Sequence, residues 1–140
     1  MSFSSANANA DLKKMAIDAM AFSHSPYSQK RIGAAIILSN GKTYSGCNIE
    51  NASYGGTVCA ERVAIWKAYS ENPSNLKITE VIVASNETDP WPPCGLCRQV
   101  ISEFGTPETK ITAINPQGKN LNFKFADLFP QAFTPEHLKK

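Results

Sequence analysis

Two short segments, Val58-Cys59-Ala60-Glu61-Arg62 and Pro93-Cys94-Gly95-Leu96-Cys97, place three thiols and one carboxylate where two helices are predicted to begin. Three thiolates with a fourth position left to water describe a zinc site that activates that water. A glutamate beside one ligand adds a proton shuttle. The chemistry such a layout suits is hydrolytic removal of an amine from a nucleobase.

The spacing constrains the geometry. Cys94 and Cys97 are three apart, so on a helix they share a face and can grip one ion. Pro93 suits the first turn, where no amide donor is needed. Cys59 and Glu61 are two apart, about 200° around a regular helix, and would diverge in its interior. They cooperate only if Cys59 sits at the helix start, where the chain is still bending, and that is where the sequence predicts it. Helix N-termini carry partial positive charge and free amides, which favour thiolate. Zinc with three thiolates keeps a net charge of about −1, which the two N-termini and the Arg62 guanidinium would offset.

Other readings of the same residues stay open at this level. The thiols could hold a structural zinc, with Cys47, His24 or His137 as fourth ligand. Cys94-Gly95-Leu96-Cys97 alone reads equally as a redox pair. Glu61 alone reads as a carboxylate stabilised by a helix dipole.

The elements that must position these groups follow from hydrophobic patterning. Residues 1–10 read as a flexible lead within a single domain over residues 1–140. A helix follows from Asp11 to about Phe22, with Leu12, Met15, Ala16, Ala19 and Met20 on one side. Strands are expected over Ile32–Leu38, Thr43–Asn48, Ile78–Ala84, Lys110–Asn115 and Leu121–Phe125. Helices are expected from Cys59 to about Glu71 and from Cys94 to Phe104, with a short helical tail near Asp127–Phe129. Strand-helix-strand alternation around the cysteines implies an α/β fold, a three-layer α-β-α sandwich whose mixed five-stranded sheet carries helices on both faces.

Composition narrows the function classes. Of 140 residues 42% are hydrophobic and 19% charged, and the net charge is +2. Lys13-Lys14, Lys30-Arg31 and Lys139-Lys140 are scattered pairs, not the dense basic stripe of a nucleic-acid groove. Neither a basic-apolar leader nor a membrane-length apolar run is present, so no nucleic acid, no membrane and a cytoplasmic location are the expectations.

Six landmarks in order then resemble the small, zinc-dependent, homotetrameric cytidine deaminases with three cysteine ligands. They are Ser25-Pro26-Tyr27-Ser28, Ile32-Gly33-Ala34-Ala35, Gly46-Cys47-Asn48-Ile49-Glu50-Asn51-Ala52, Cys59-Ala60-Glu61-Arg62, Pro93-Cys94-Gly95-Leu96-Cys97-Arg98-Gln99 and Leu128-Phe129-Pro130-Gln131-Ala132-Phe133. The resemblance implies that Cys59, Cys94 and Cys97 bind Zn2+ and that Glu61 shuttles protons. It implies that Asn48 and Glu50 hold the ribose 3′-hydroxyl and that the Ala60 backbone meets the pyrimidine. Arg62 would temper the thiolates. Tyr54 and Phe133 would reach a neighbouring subunit's site, completing it only in a homotetramer.

One position departs from the family. After Pro-Tyr-Ser the family usually continues Phe-Pro, its phenylalanine lining the nucleoside pocket; here Lys30-Arg31 stands instead. Lys30 would alter the shape and charge of the base side, opening it to N4-modified cytosines or an aminoacyl-nucleoside antibiotic, or else snorkel outward.

Overall fold

Five strands, the three central ones rich in β-branched and small apolar residues, make up the sheet of the computed structural model, which describes residues 5–139. They are β1 (Ile32–Leu38), β2 (Thr43–Cys47), β3 (Ile78–Ser85), β4 (Lys110–Ile114) and β5 (Asn120–Lys124), in the sheet order β2-β1-β3-β4-β5. β1 is antiparallel to both β2 and β3, β4 is parallel to β3, and β5 returns antiparallel to β4. β2, β3 and β4 therefore point the same way, and the segments leaving β2 and β3 emerge at one end of the sheet. Gly41 and Gly118 turn the two hairpins at φ of 87° and 95°, values open to glycine at little cost.

Helices cover both faces, as the pattern predicts. α1 (Ser5–Ala19) lays Leu12, Ala16 and the following Met20 over Ala35, Ile82, Ala84 and Ile114. On the other face α2 (Ala60–Glu71) and α3 (Gly95–Phe104) bury Ala64, Ile65, Ala68 and Ile101 against Ile36, Leu38, Val81, Val83 and Ile111. The short α4 (Phe125–Leu128) closes the end of that core with Phe125.

The expected lead over residues 1–10 is corrected. Residues 1–4 lie outside the described residues, and α1 already begins at Ser5. Alanine-rich Ser5–Ala10 carries strong helix formers, and the Asn9 side chain donates to Glu80 Oε1 at 2.7 Å, tying the first turns to β3. The helix also ends earlier than expected, passing at Met20 into a 3₁₀ turn. Two further 3₁₀ turns, Tyr54–Gly56 and Pro135–His137, add to the expected elements; Thr134 and His137 cap the last reciprocally.

Close packing of helix on sheet rests on two glycines. A Cβ on Gly33 would stand 2.0 Å from the Ala16 carbonyl oxygen, and one on Gly46 would stand 2.7 Å from that of Ala60. Both obstacles are backbone, so neither can step aside cheaply. Gly33→Ala should therefore cost about 3 kcal/mol by overpacking. Gly41→Ala, where space is open and only φ is unfavourable, should cost about 1 kcal/mol. Urea unfolding of the two variants checks the order; equal losses would show that α1 does not depend on this close approach.

Candidate metal centre and active site

The segments leaving β2 and β3 deliver the two helix starts side by side. Cys59 is the N-cap of α2, with extended backbone at φ −76° and ψ 154°, and Glu61 is the second helical residue. The chain bends between them, which is how residues two apart come to serve one site. Cys94 is likewise the N-cap of α3 (φ −69°, ψ 171°), with Pro93 one residue outside the helix and Cys97 in its first turn. The pair Cys94 and Cys97 thus meets across a cap, not along a regular helix face.

The three sulfurs of Cys59, Cys94 and Cys97 lie within 4.8 Å of one another, and Cys59 Sγ is 3.7 Å from Cys94 Sγ. No further His, Cys, Asp or Glu among the described residues joins this group. Cys47, with β2, is outside it, so the fourth protein ligand of a structural zinc is not supplied. Cys97 is buried, Cys59 half-buried and Cys94 exposed, which leaves the cluster open on one side.

Electrostatics at the cluster match ligand chemistry. The Cys97 thiol hydrogen-bonds to Cys59 and, with Arg62, holds Cys59 at about 5 against the opposing effect of burial. Cys97 is pushed up by the same hydrogen bond and by its own burial. Arg62 Nη2 donates to Cys59 Sγ at 3.5 Å, and its guanidinium lies 5.8 Å from the Trp66 ring centre. Glu61 is only 3% exposed; burial, with the nearby Cys59 charge, raises its carboxyl to about 7. A soft, compact, three-sulfur donor set with a positive neighbour fits zinc.

A family model described as the cytidine and deoxycytidylate deaminase zinc-binding region matches residues 6–113. The chain belongs to this family. The cytidine deaminase of Halalkalibacterium halodurans is 42% identical over 127 residues, covering 91% of this chain and 95% of that one. That of Sporosarcina psychrophila is 41% identical over 113 residues, 81% and 82% of the two chains. The crystal structure of the cytidine deaminase from Burkholderia pseudomallei superposes with a TM-score of 0.83 at 37% identity, covering 89% of this chain and 98% of that one. As a member of this deaminase family, the chain carries the family's zinc-binding region, and the three-cysteine cluster lies within it.

Each of the remaining predicted site residues has its own set of contacts. Glu50 accepts from the Tyr27 and Ser28 amides, each at 3.1 Å, and from the Ser28 hydroxyl. These bonds, the hydroxyl first, hold its carboxyl below the usual range. Asn48 is buried, its Oδ1 accepting from Ser23 Oγ (2.5 Å) and Ile32 N (2.9 Å) while Nδ2 donates to the Lys30 carbonyl at 2.7 Å. Nδ2 carries a second hydrogen beyond that bond. The buried Ala60 sets its carbonyl against Gly46. Tyr54 is 75% exposed with its ring edge-on to Tyr27 at 5.8 Å, and Phe133, 53% exposed, stacks on His137 at 5.2 Å.

Several supporting residues escaped the sequence reading. Arg98 donates to the Pro93 and Leu128 carbonyls, both at 2.7 Å, fixing the segment that leads into Cys94. Gln99 Nε2 reaches the Phe133 carbonyl at 2.8 Å, joining the C-terminal tail to α3. Both stand in the Pro93–Gln99 landmark beside Cys97, and nothing in the sequence announces their partners. Lys30 points its ammonium at Glu87 Oε1 (2.5 Å) and the Trp91 ring (5.7 Å), partners 57 and 61 positions away that no local pattern announces.

Metal uptake should require loss of the thiol protons, because thiolates are the ligands. Cys97→Ala should abolish stoichiometric zinc binding, and wild-type affinity should weaken as pH falls. Metal analysis after dialysis at several pH values checks both. Full occupancy in Cys97→Ala would remove that residue from the ligand set.

Proposed function

We propose that this protein deaminates cytidine and 2′-deoxycytidine hydrolytically to uridine and 2′-deoxyuridine, releasing ammonia, as a step of pyrimidine salvage. The observation that carries the reading is the buried Glu61, two residues from Cys59, at an open three-thiol cluster inside the family's zinc-binding region. Cys59, Cys94 and Cys97 would hold zinc, which would supply a nucleophilic water acidified toward neutral pH. Glu61 takes a proton from that water and delivers it to N3 of cytosine while the water oxygen bonds C4. Glu61 then carries the second proton to the exocyclic amine, the C4–N bond breaks, and ammonia leaves.

The chain's other groups bind and orient. Glu50, kept ionised by Ser28 and Tyr27, accepts from a ribose hydroxyl, and the free hydrogen of Asn48 Nδ2 donates to it. A phosphate at the 3′ position would face the Glu50 carboxylate and be rejected, which favours free nucleosides over nucleic acid. The Ala60 backbone, at the start of α2 beside Cys59, is the group we assign to the pyrimidine edge. Arg62 tempers the charge on Cys59. Exposed Tyr54 and Phe133 have large faces to offer a neighbouring copy, and we assign a homotetramer with shared sites. The thiol ligands suit a reducing compartment, the cytoplasm, and no helix among the described residues is long and apolar enough to cross a membrane.

Incubating the zinc-loaded protein with cytidine should give uridine and ammonia, seen by ultraviolet absorbance and chromatography. Glu61→Gln should keep zinc and nucleoside binding yet lose about 10³-fold or more in kcat. Wild-type turnover in that variant would dismiss Glu61 as the shuttle. Light scattering should find four copies, and Phe133→Ala should raise KM; a fully active monomer would rule out shared sites.

A further inference from the structure

We propose that Lys30, Glu87 and Trp91 form a clasp between two loops of the site, so that Lys30 and Glu87 are positioning residues that set nucleoside affinity. This rests on the nucleoside-deaminase reading above. The first loop, residues 25–31, carries the amides and hydroxyl that hold Glu50. Its Lys30 amide donates to Ser28 Oγ at 3.0 Å, and its Lys30 carbonyl accepts from Asn48. The second loop, residues 86–93, leads directly into Cys94.

The Lys30 ammonium spans them, 2.5 Å from Glu87 Oε1 and 5.7 Å from the centre of the Trp91 ring. Asn86 adds backbone ties, accepting from the Arg31 amide at 3.0 Å and donating to the Gln29 carbonyl at 3.4 Å. Behind the second loop, Asn115 Nδ2 donates to the Glu87 and Thr88 carbonyls (3.2 and 3.0 Å) and Lys119 pairs with Asp89 at 2.5 Å. That loop is thus anchored to the sheet, and the first loop is held to it by the Asn86 bonds at its Gln29–Arg31 end and by the clasp at Lys30. Gln29, with φ of 60°, takes a left-handed backbone that a non-glycine residue adopts at a cost, so the first loop's shape depends on its tethers.

The clasp touches neither the three cysteines nor Glu61. Loosening it lowers the fraction of molecules with both loops in place, and apparent affinity falls by that fraction while the chemical step proceeds unchanged once substrate is bound. A partly exposed ion pair combined with a cation–ring contact supports an effect of about three- to tenfold.

The test is a double-mutant cycle on the zinc-loaded enzyme. Lys30→Met and Glu87→Gln should each raise KM for cytidine about three- to tenfold, with kcat and zinc content within about twofold of wild type. The double variant should be no worse than the worse single, because one interaction is lost once. Lys30→Arg, which keeps charge and ring contact, should retain wild-type KM. Unchanged KM, multiplicative single effects, or a fall in kcat at constant KM would overturn the clasp. Trp91 emission in a Trp66→Phe background should shift in Lys30→Met and Glu87→Gln and not in Lys30→Arg, whether or not cytidine turns over. A wild-type enzyme inert toward cytidine sinks the nucleoside reading; an unmoved Trp91 signal sinks the clasp.

Discussion

Everything at this site depends on bringing three sulfurs from two helix starts within 4.8 Å. A sheet of other topology would not do it. Because β1 runs antiparallel to both neighbours, β2 and β3 run the same way although they are joined through a long excursion. The helix after each therefore starts at the same end of the sheet. The cost is steric, since α2 must lie close enough on the sheet for its N-cap to meet that of α3. Ala60, Ala64 and Ala68 on the buried side of α2 and Gly46 beneath it make that distance available.

The same convergence shapes the electrostatics. Three thiolates gathered at one point would repel each other, and the two helix N-termini supply positive dipole charge at that point. Arg62 extends the compensation from within α2 and is steadied by Trp66. Glu61 belongs to the same turn but faces the buried side, where burial works against its charge and raises it toward neutrality. One turn of helix thus presents a softened ligand and a carboxyl suited to exchanging protons. A redox role for Cys94 and Cys97 is less consistent with this arrangement, because Cys59 Sγ stands 3.7 Å from Cys94 Sγ and within 4.8 Å of Cys97 and would intrude on a two-thiol exchange.

Local chemistry was legible in the chain, and long-range pairing was not. Strand positions held to within a residue or so, since β1 and β3 are nearly uninterrupted apolar runs. The prediction that Cys59 sits at a helix start followed from angular arithmetic alone and is met by its extended backbone. Other features had no such signature. Ser5–Ala10 looks polar enough to be a loose lead, but alanine propensity and the Asn9–Glu80 bond extend α1 through it. Asn48 reads as a ligand-facing amide, yet its oxygen is spent on Ser23 and the β1 amide of Ile32, a role visible only when the loops are packed.

Lys30 shows most clearly why a departure from a family pattern resists interpretation without a fold. Taken alone, a lysine in place of an aromatic residue suggests a charged pocket wall. Its surroundings give it different work. The ammonium has both a carboxylate and a ring face on the facing loop, while its peptide group is held by Ser28 and Asn48. A hydrophobic residue would bury area against Trp91 but leave the Glu87 carboxylate without its counter-charge. The long aliphatic stem spans the gap and the charged end satisfies the far side, so charge here holds two loops together instead of meeting substrate. Pocket shape then follows from which loops are tied, not only from which side chains line the cavity. That is a property of pairs far apart in sequence, and single positions do not reveal it.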